Sequence, residues 1–330
     1  MLLQPNSGGE STPTPRRMRK DHAVIDIRRI LCPIDYSEFS RRALDHAIAI
    51  ARWYGSTITL LHVSHVLPIT AYTPVGPVVP PSLLTPEDRG AMLAAMQKFA
   101  AEEAAPGVPM EFEIAEGKPA TEIVEKAREM SCDLLVLGTH GYSGFDRLVL
   151  GSVTEKALRK AECPVLTVPC HAPDAVPIPS ALFKHILCAI DFSPCSIRAL
   201  GYAVSLAEEA DAHLTVLNVL EPPPSTPVDV ESGGGFPGDL RQFLEDAAKD
   251  RRQRLNDIVP VNAKTFCTIE TMLATGKPHR EILRIAGQQH VGLIVMGVHG
   301  HSAVDLLLFG STTHHIVRQA TCPVLTLRDR

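Results

Sequence analysis

Long apolar runs are missing from this sequence. No stretch of the 330-residue chain reaches the ~18 residues that a membrane-spanning helix requires, so no membrane association is expected. Basic charge is not in excess either. Lys and Arg number 32 against 37 Asp and Glu, a net charge of −5, and the basic footprint of a dedicated nucleic-acid binder is absent. The start of the chain carries no secretory leader. Residues 1–21 place Pro5, Gly8, Gly9, Pro13 and Pro15 ahead of Arg16, Arg17, Arg19 and Lys20, with no apolar stretch between charge and a cleavage site. Residues 1–27 read as a disordered tail. None of the eight cysteines belongs to a C-x-x-C pair. Cys32, Cys163, Cys188 and Cys322 fall in apolar, strand-like runs, where a free thiol behaves as a small hydrophobe. A disulfide framework is therefore not expected, and a reducing cytoplasm is.

What is present is a chain written twice. Hydrophobic residues make up 45% and charged residues 21%, the balance of a globular protein, and at ~150 residues per domain the length suits two domains. Residues 30–37 (ILCPIDYS) return at 186–193 as ILCAIDFS. Residues 58–63 (ITLLHV) return at 214–219 as LTVLNV. Residues 135–141 (LVLGTHG) return at 294–300 as IVMGVHG, 151–154 (GSVT) at 310–313 as GSTT, and 163–167 (CPVLT) unchanged at 322–326. The offset is 156 residues early and 159 late. The order is kept throughout, which a duplication explains, and the period is far too long for a solenoid. Two domains are expected, at 28–169 and 183–330, joined by a proline-spaced linker at 170–182.

Within each copy, short apolar runs alternate with helical periodicity. Strands are expected at residues 29–35, 57–63, 111–115, 133–138 and 164–168, and helices after Ser37 or Ser40 and at 86–104, 121–130 and 152–161. Runs without alternation are those of strands buried on both faces. Strand–helix alternation implies right-handed crossovers and a parallel sheet with helices on both faces, a Rossmann-like α/β fold. The proline-rich stretches 67–86 and 221–238 read as long loops at the ligand edge of such a sheet.

The glycines carry the chemistry. Gly138-x-x-Gly141, nine residues, then Gly151 and Ser152 lies between the fourth strand and its helix, and Gly297-x-x-Gly300, nine residues, then Gly310 and Ser311 repeats it. Gly138 is expected to turn the backbone sharply and Gly141 to let a ligand approach it. Gly151 and Ser152 open a helix whose N–H groups and dipole suit a di- or triphosphate. Asp35 and Asp191 end the first strands, where a carboxylate either binds a ribose or a base or caps the next helix.

These residues resemble the universal stress protein family in its tandem form, over nearly all of residues 28–169 and 183–328. G-x-x-G-x9-G-[S/T] is the ATP-binding signature of that family, and both copies carry it in full. The resemblance implies a five-stranded parallel sheet of order 3-2-1-4-5 in each domain. It implies that Pro33 and Asp35 line an adenosine pocket and that Val63 bonds adenine through its backbone. Gly138 and Gly141 would border ribose and phosphates, and Gly151, Ser152 and Val153 would hold the phosphates. The second set is Asp191, Val219, Gly297, Gly300, Gly310, Ser311 and Thr312. Mg²⁺ is expected to accompany the ATP. Pairing of the fifth strands, edge to edge, would make a pseudo-dimer inside one chain, and a further homodimer is compatible with it.

The copies differ at Pro33, which becomes Ala189, and at Arg147, which becomes Leu306, so tighter binding is expected in the first. No catalytic apparatus is visible. There is no Walker G-x-x-x-x-G-K-[S/T] run, and the Gly-Lys-Pro turns at 117–119 and 276–278 lack its upstream glycine and hydroxyl. The chain reads as an ATP-binding regulatory or stress-response protein, with slow hydrolysis at most. Two alternatives stand beside that reading: a zinc module built on His299, His301, His314 and His315, and a scaffold without ligand.

Overall fold

The structure, a computed structural model, describes residues 25–64, 71–73, 76–78, 84–102, 107–139, 150–169, 183–222, 238–260, 263, 267–298 and 310–328. The first half runs β1 (Arg29–Ile34), α1 (Glu38–Tyr54), β2 (Thr57–Ser64), β3 (Ala71–Thr73), β4 (Gly76–Val78), α2 (Pro86–Ala101), β5 (Met110–Glu116), α3 (Pro119–Glu129), β6 (Leu134–Gly138), α4 (Ser152–Lys160) and β7 (Val165–Val168). The second runs β8 (His185–Ala189), α5 (Pro194–Ala210), β9 (His213–Leu220), α6 (Gly238–Ile258), β10 (Thr268–Thr275), α7 (Pro278–Gln288), β11 (Leu293–Gly297), α8 (Ser311–Gln319) and β12 (Val324–Leu327).

Ten of these strands form one sheet, in the order β10-β9-β8-β11-β12-β7-β6-β1-β2-β5. Each half contributes five parallel strands in the order 3-2-1-4-5, as the resemblance implied. The halves meet where β12 runs antiparallel to β7, with Val324 opposite Thr167, Leu325 opposite Leu166 and Thr326 opposite Val165. The seam is reciprocal. The Thr167 hydroxyl donates to the Val324 carbonyl and the Thr326 hydroxyl to the Val165 carbonyl, each at 3.2 Å.

Helices cover both faces, so the central strands are predominantly apolar. On one face α1, α2, α5 and α6 bury residues such as Leu44, Phe99, Ala203 and Leu255 against Ile30, Val136, Ile186 and Val295. On the other, α3, α4, α7 and α8 bury Ile123, Leu158, Ile285 and Val317 against Leu31, Leu135, Leu187 and Ile294. Both cores run across the seam. Phe183, fully buried at the start of the second half, touches His46 and Trp53 of α1 with ring centroids 5.9 and 5.6 Å apart.

Helix starts follow the expected chemistry. Ser37, and not Ser40, caps α1: its Oγ accepts from the Ser40 amide at 3.3 Å, while the Ser40 hydroxyl donates to the Ser37 carbonyl at 2.9 Å. Ser193 and Ser196 repeat this at α5. The proline-rich stretch 67–86 is not all loop. It contains the short antiparallel pair β3–β4, with Ala71 opposite Val78, a pairing that leaves no apolar alternation to read. The segment 223–237 lies outside the described residues. Among the described residues, no helix is long and apolar enough to cross a membrane.

Candidate functional site

In a doubly wound sheet, ligands sit beyond the carboxyl ends of the strands where the strand order reverses. Here that point lies between β1 and β6, and again between β8 and β11. Asp35 and Asp191 follow the first strand of each pair. Asp35 Oδ1 accepts from the Ser37 amide at 3.1 Å and from the Ser37 hydroxyl. Asp191 Oδ1 does the same with Ser193, at 3.0 and 2.6 Å. The aspartates are therefore not the helix caps. They are tied to the serines that are, and this fixes each carboxylate at the crevice.

The next residue in each copy is Tyr36 or Phe192, with φ of 63° and 65°. Large side chains rarely adopt this left-handed backbone, and such residues concentrate at functional sites. The turn directs Tyr36 over His62, with ring centroids 4.8 Å apart, and places Phe192 4.1 Å from the Arg254 guanidinium. Neither aromatic is singled out by composition or periodicity. Their signal is the repeated Asp-aromatic-Ser.

The resemblance gave Val63 and Val219 a backbone role. Thr57 donates to Arg28 on the β1 side and Ile58 to Pro109 on the β5 side, so by alternation the Val63 N–H and C=O face β1. The β1–β2 register ends one residue earlier, at Ile34 opposite His62. Val63 therefore faces the gap beyond the end of β1, and Val219 holds the matching place in β9. Beside it, Asn218 is 1% exposed. Its Nδ2 donates to the Ile190 carbonyl at 2.7 Å, and its Oδ1 has no hydrogen-bond partner. Buried acceptors are seldom left unsatisfied.

Pro33 has a structural consequence of its own. The β1–β6 ladder pairs Ile30 with Leu134 and Leu31 with Leu135 and goes no further. Proline offers no N–H to continue it. Ala189, its counterpart, stays paired with Met296, so the strands part earlier in the first half.

The glycines divide by role. Gly138 and Gly297 are not sharp turns; neither has a positive φ. A Cβ on Gly138 would lie 2.8 Å from Phe39 Cβ, and one on Gly297 would lie 2.9 Å from Cys195 Cβ. These two glycines let the first turn of α1 or α5 press against the fourth strand. The amides of Gly151 and Gly310 are engaged as well, donating to the Thr139 carbonyl at 2.9 Å and the Val298 carbonyl at 3.3 Å. That corrects the expectation that the Gly151 N–H faces an anion. A Cβ on Gly310 would come within 2.8 Å of the same Val298 carbonyl.

The donors left for an anion are the next three. Gly151 caps α4 and Gly310 caps α8, in both cases without a side-chain hydrogen bond. The first intrahelical amides to find carbonyls are Glu155 and His314. The N–H groups of Ser152, Val153 and Thr154, and of Ser311, Thr312 and Thr313, therefore have no intrahelical acceptor. Thr154 and Thr313 hold these ends in place: Thr154 Oγ1 donates to the Gly138 carbonyl at 2.8 Å, and Thr313 Oγ1 lies 3.2 Å from the Gly297 carbonyl. Both threonines stand in the repeated GSVT and GSTT runs, whose spacing does not name these acceptors.

Gly141, Gly300, Arg147, Leu306, His299 and His301 lie outside the described residues. Of the proposed zinc cluster, His314 and His315 are described. Their ring centroids are 6.1 Å apart, and His315 stacks on His279 at 4.4 Å.

Fold and edge together define a fused pair of doubly wound α/β domains. The family model described as "Universal stress protein family" matches residues 26–169 and again 182–328. The chain belongs to the universal stress protein family, in tandem form. A universal stress protein of Methanocaldococcus jannaschii is 38% identical over 141 residues, 43% of this chain and 81% of that protein. One of Mycolicibacterium smegmatis is 26% identical over 310 residues, 91% of this chain and 97% of that protein. The crystal structure of a universal stress protein from Archaeoglobus fulgidus shares the fold, with a TM-score of 0.62 at 21% identity over 91% of this chain and 98% of that one.

Proposed function

We propose that the chain is an ATP-binding regulatory protein with one nucleotide site in each half. The observation that carries this reading is the matched pair of helix starts at α4 and α8. Each offers three amide donors without a side-chain cap, beside the point where the strand order reverses. Such an end binds phosphate through its N–H groups and its dipole. Asp35 and Asp191 stand across the crevice as acceptors for ribose hydroxyls. Val63 and Val219 offer backbone groups to the adenine. The buried, unpartnered Asn218 Oδ1 supports a donor-bearing ligand in the second site. Mg²⁺ travels with the triphosphate, held by phosphate oxygens and water.

We place this protein in the cytoplasm, a setting supported by seven described cysteines that are all buried and outside any disulfide. A homodimer would use a surface other than the fifth strands, since those already pair with each other. The test is calorimetric titration with ATP and Mg²⁺. Two nucleotides per chain are expected. No heat and no thermal shift at millimolar ATP would overturn the reading.

A further inference from the structure

The edge of the sheet opposite the nucleotide crevice carries a second cluster, found among the described residues in the second half. His185 opens β8 and His213 opens β9, paired directly across the ladder. Glu270 sits in β10 opposite Thr215, on the same face. One ligand atom from each of His185, His213 and Glu270 falls within 4.8 Å of the others.

The protonation pattern follows from the partners. His185 Nδ1 lies 3.0 Å from the Gln289 carbonyl, which can only accept, so Nδ1 carries the proton and Nε2 the lone pair. A metal-binding imidazole is commonly oriented in this way, through a backbone carbonyl on its other nitrogen. Nε2 lies 2.9 Å from the Thr215 hydroxyl, which a metal would displace as its partner, and 3.1 Å from His213 Nδ1. The edge of a tetrahedron with zinc–nitrogen bonds of about 2.0–2.1 Å is about 3.3 Å, so these nitrogens already stand close to the separation of two ligands on one ion. Glu270 Oε1 lies 2.8 Å from the same Thr215 hydroxyl, which donates to it once the His185 Nε2 lone pair is taken up by a metal. The side chains of His213 and Glu270 are 33% and 44% exposed, leaving an entry path.

The first half supplies a control. Thr59 and Glu111 keep the threonine–glutamate contact, at 3.3 Å. The two imidazoles, however, are replaced by Arg29 and Thr57, and the Arg29 guanidinium would repel a cation. The threonine–glutamate contact is thus common to both halves, and the histidine pair is an addition to one of them.

We propose that His185 Nε2, His213 Nδ1 and the Glu270 carboxylate bind a late first-row divalent ion of the zinc class, with water as fourth ligand. The site clips β8, β9 and β10 together at the end of α7. It lies at the opposite edge from the nucleotide crevice, shares no residue with the set His299, His301, His314 and His315, and does not rest on ATP binding.

The test uses the full chain after chelation, titrated with Zn²⁺ and, for its absorption, Co²⁺. Wild type is compared with His213→Thr, with Glu270→Gln, and with His299→Ala plus His301→Ala. His213→Thr installs the residue of the first half at that place, and circular dichroism without metal checks its fold. The expected result is one Zn²⁺ per chain and a tetrahedral Co²⁺ spectrum. His213→Thr should weaken binding by more than about tenfold, Glu270→Gln should weaken it too, and the His299/His301 variant should match wild type. Should His213→Thr misfold, Glu270→Gln decides alone. No Zn²⁺ binding by wild type, or binding indifferent to His213 and Glu270, overturns the proposal.

Discussion

His46 is a histidine whose surroundings allow it one charge state. It is 3% exposed on α1, against Phe183. Its Nδ1 donates to the Arg42 carbonyl at 2.7 Å, and its Nε2 has no partner. Burial pushes its pKa down from 6.5 to about 4, against the opposing pull of the Arg42 carbonyl. The folded state therefore holds it neutral where the unfolded chain would protonate it. The stability this contributes is complete above pH 6.5 and is lost as pH falls toward 4, up to about 3 kcal/mol. Urea unfolding followed from pH 7 to 4.5 should show that decline, and His46→Leu should flatten it. An unchanged slope in the variant would contradict the assignment. At this scale the sequence showed which glycines matter but not why. Gly138 and Gly297 are required by Phe39 and Cys195, which lie about 100 residues away in the chain. Nothing in their local spacing names those neighbours.

The elements differ in how plainly they announce themselves. Central strands such as β1, β6 and β7 are largely buried on both faces and read as apolar runs, interrupted by Arg29 and Thr167 alone. β5 and β10 are the outer edges of the sheet and only partly buried, so their signal is diluted by Glu111, Glu113 and Thr271. The β3–β4 pair was illegible, because three-residue strands among prolines carry no period. The starts of α4 and α8 were legible as helix starts from Gly-Ser alone. What could not be read is the role of Thr154, whose acceptor lies 16 residues back on β6. Thr154→Val should therefore cost about 1 kcal/mol of stability and weaken ATP at the first site while leaving the second as it was. Calorimetry on this variant checks both halves of that statement. Equal weakening at both sites would show that Thr154 acts on overall stability and not on its own helix.

Duplication and fusion give the whole molecule its character. The β7–β12 seam turns two five-stranded sheets into one and closes two edges that would otherwise invite pairing with other chains. The two proposed sites would be separate, because each reversal of strand order lies wholly within one half. A change confined to one helix start should therefore remove one nucleotide and spare the other. The chain itself suggests the change: α3 and α7 both begin with proline, at Pro119 and Pro278. Proline is tolerated at the first helical position and removes only a donor with no intrahelical partner. Gly151 and Gly310, at φ/ψ of −59°/138° and −56°/139°, already hold the extended backbone that a following proline prefers. The decisive measurement is calorimetric titration of ATP and Mg²⁺ into wild type, Ser152→Pro, Ser311→Pro and the double variant, each with an unchanged melting temperature. We predict two nucleotides per chain, then one in each single variant and none detectable in the double. Full binding by the double variant would show that the helix starts do not hold the phosphates.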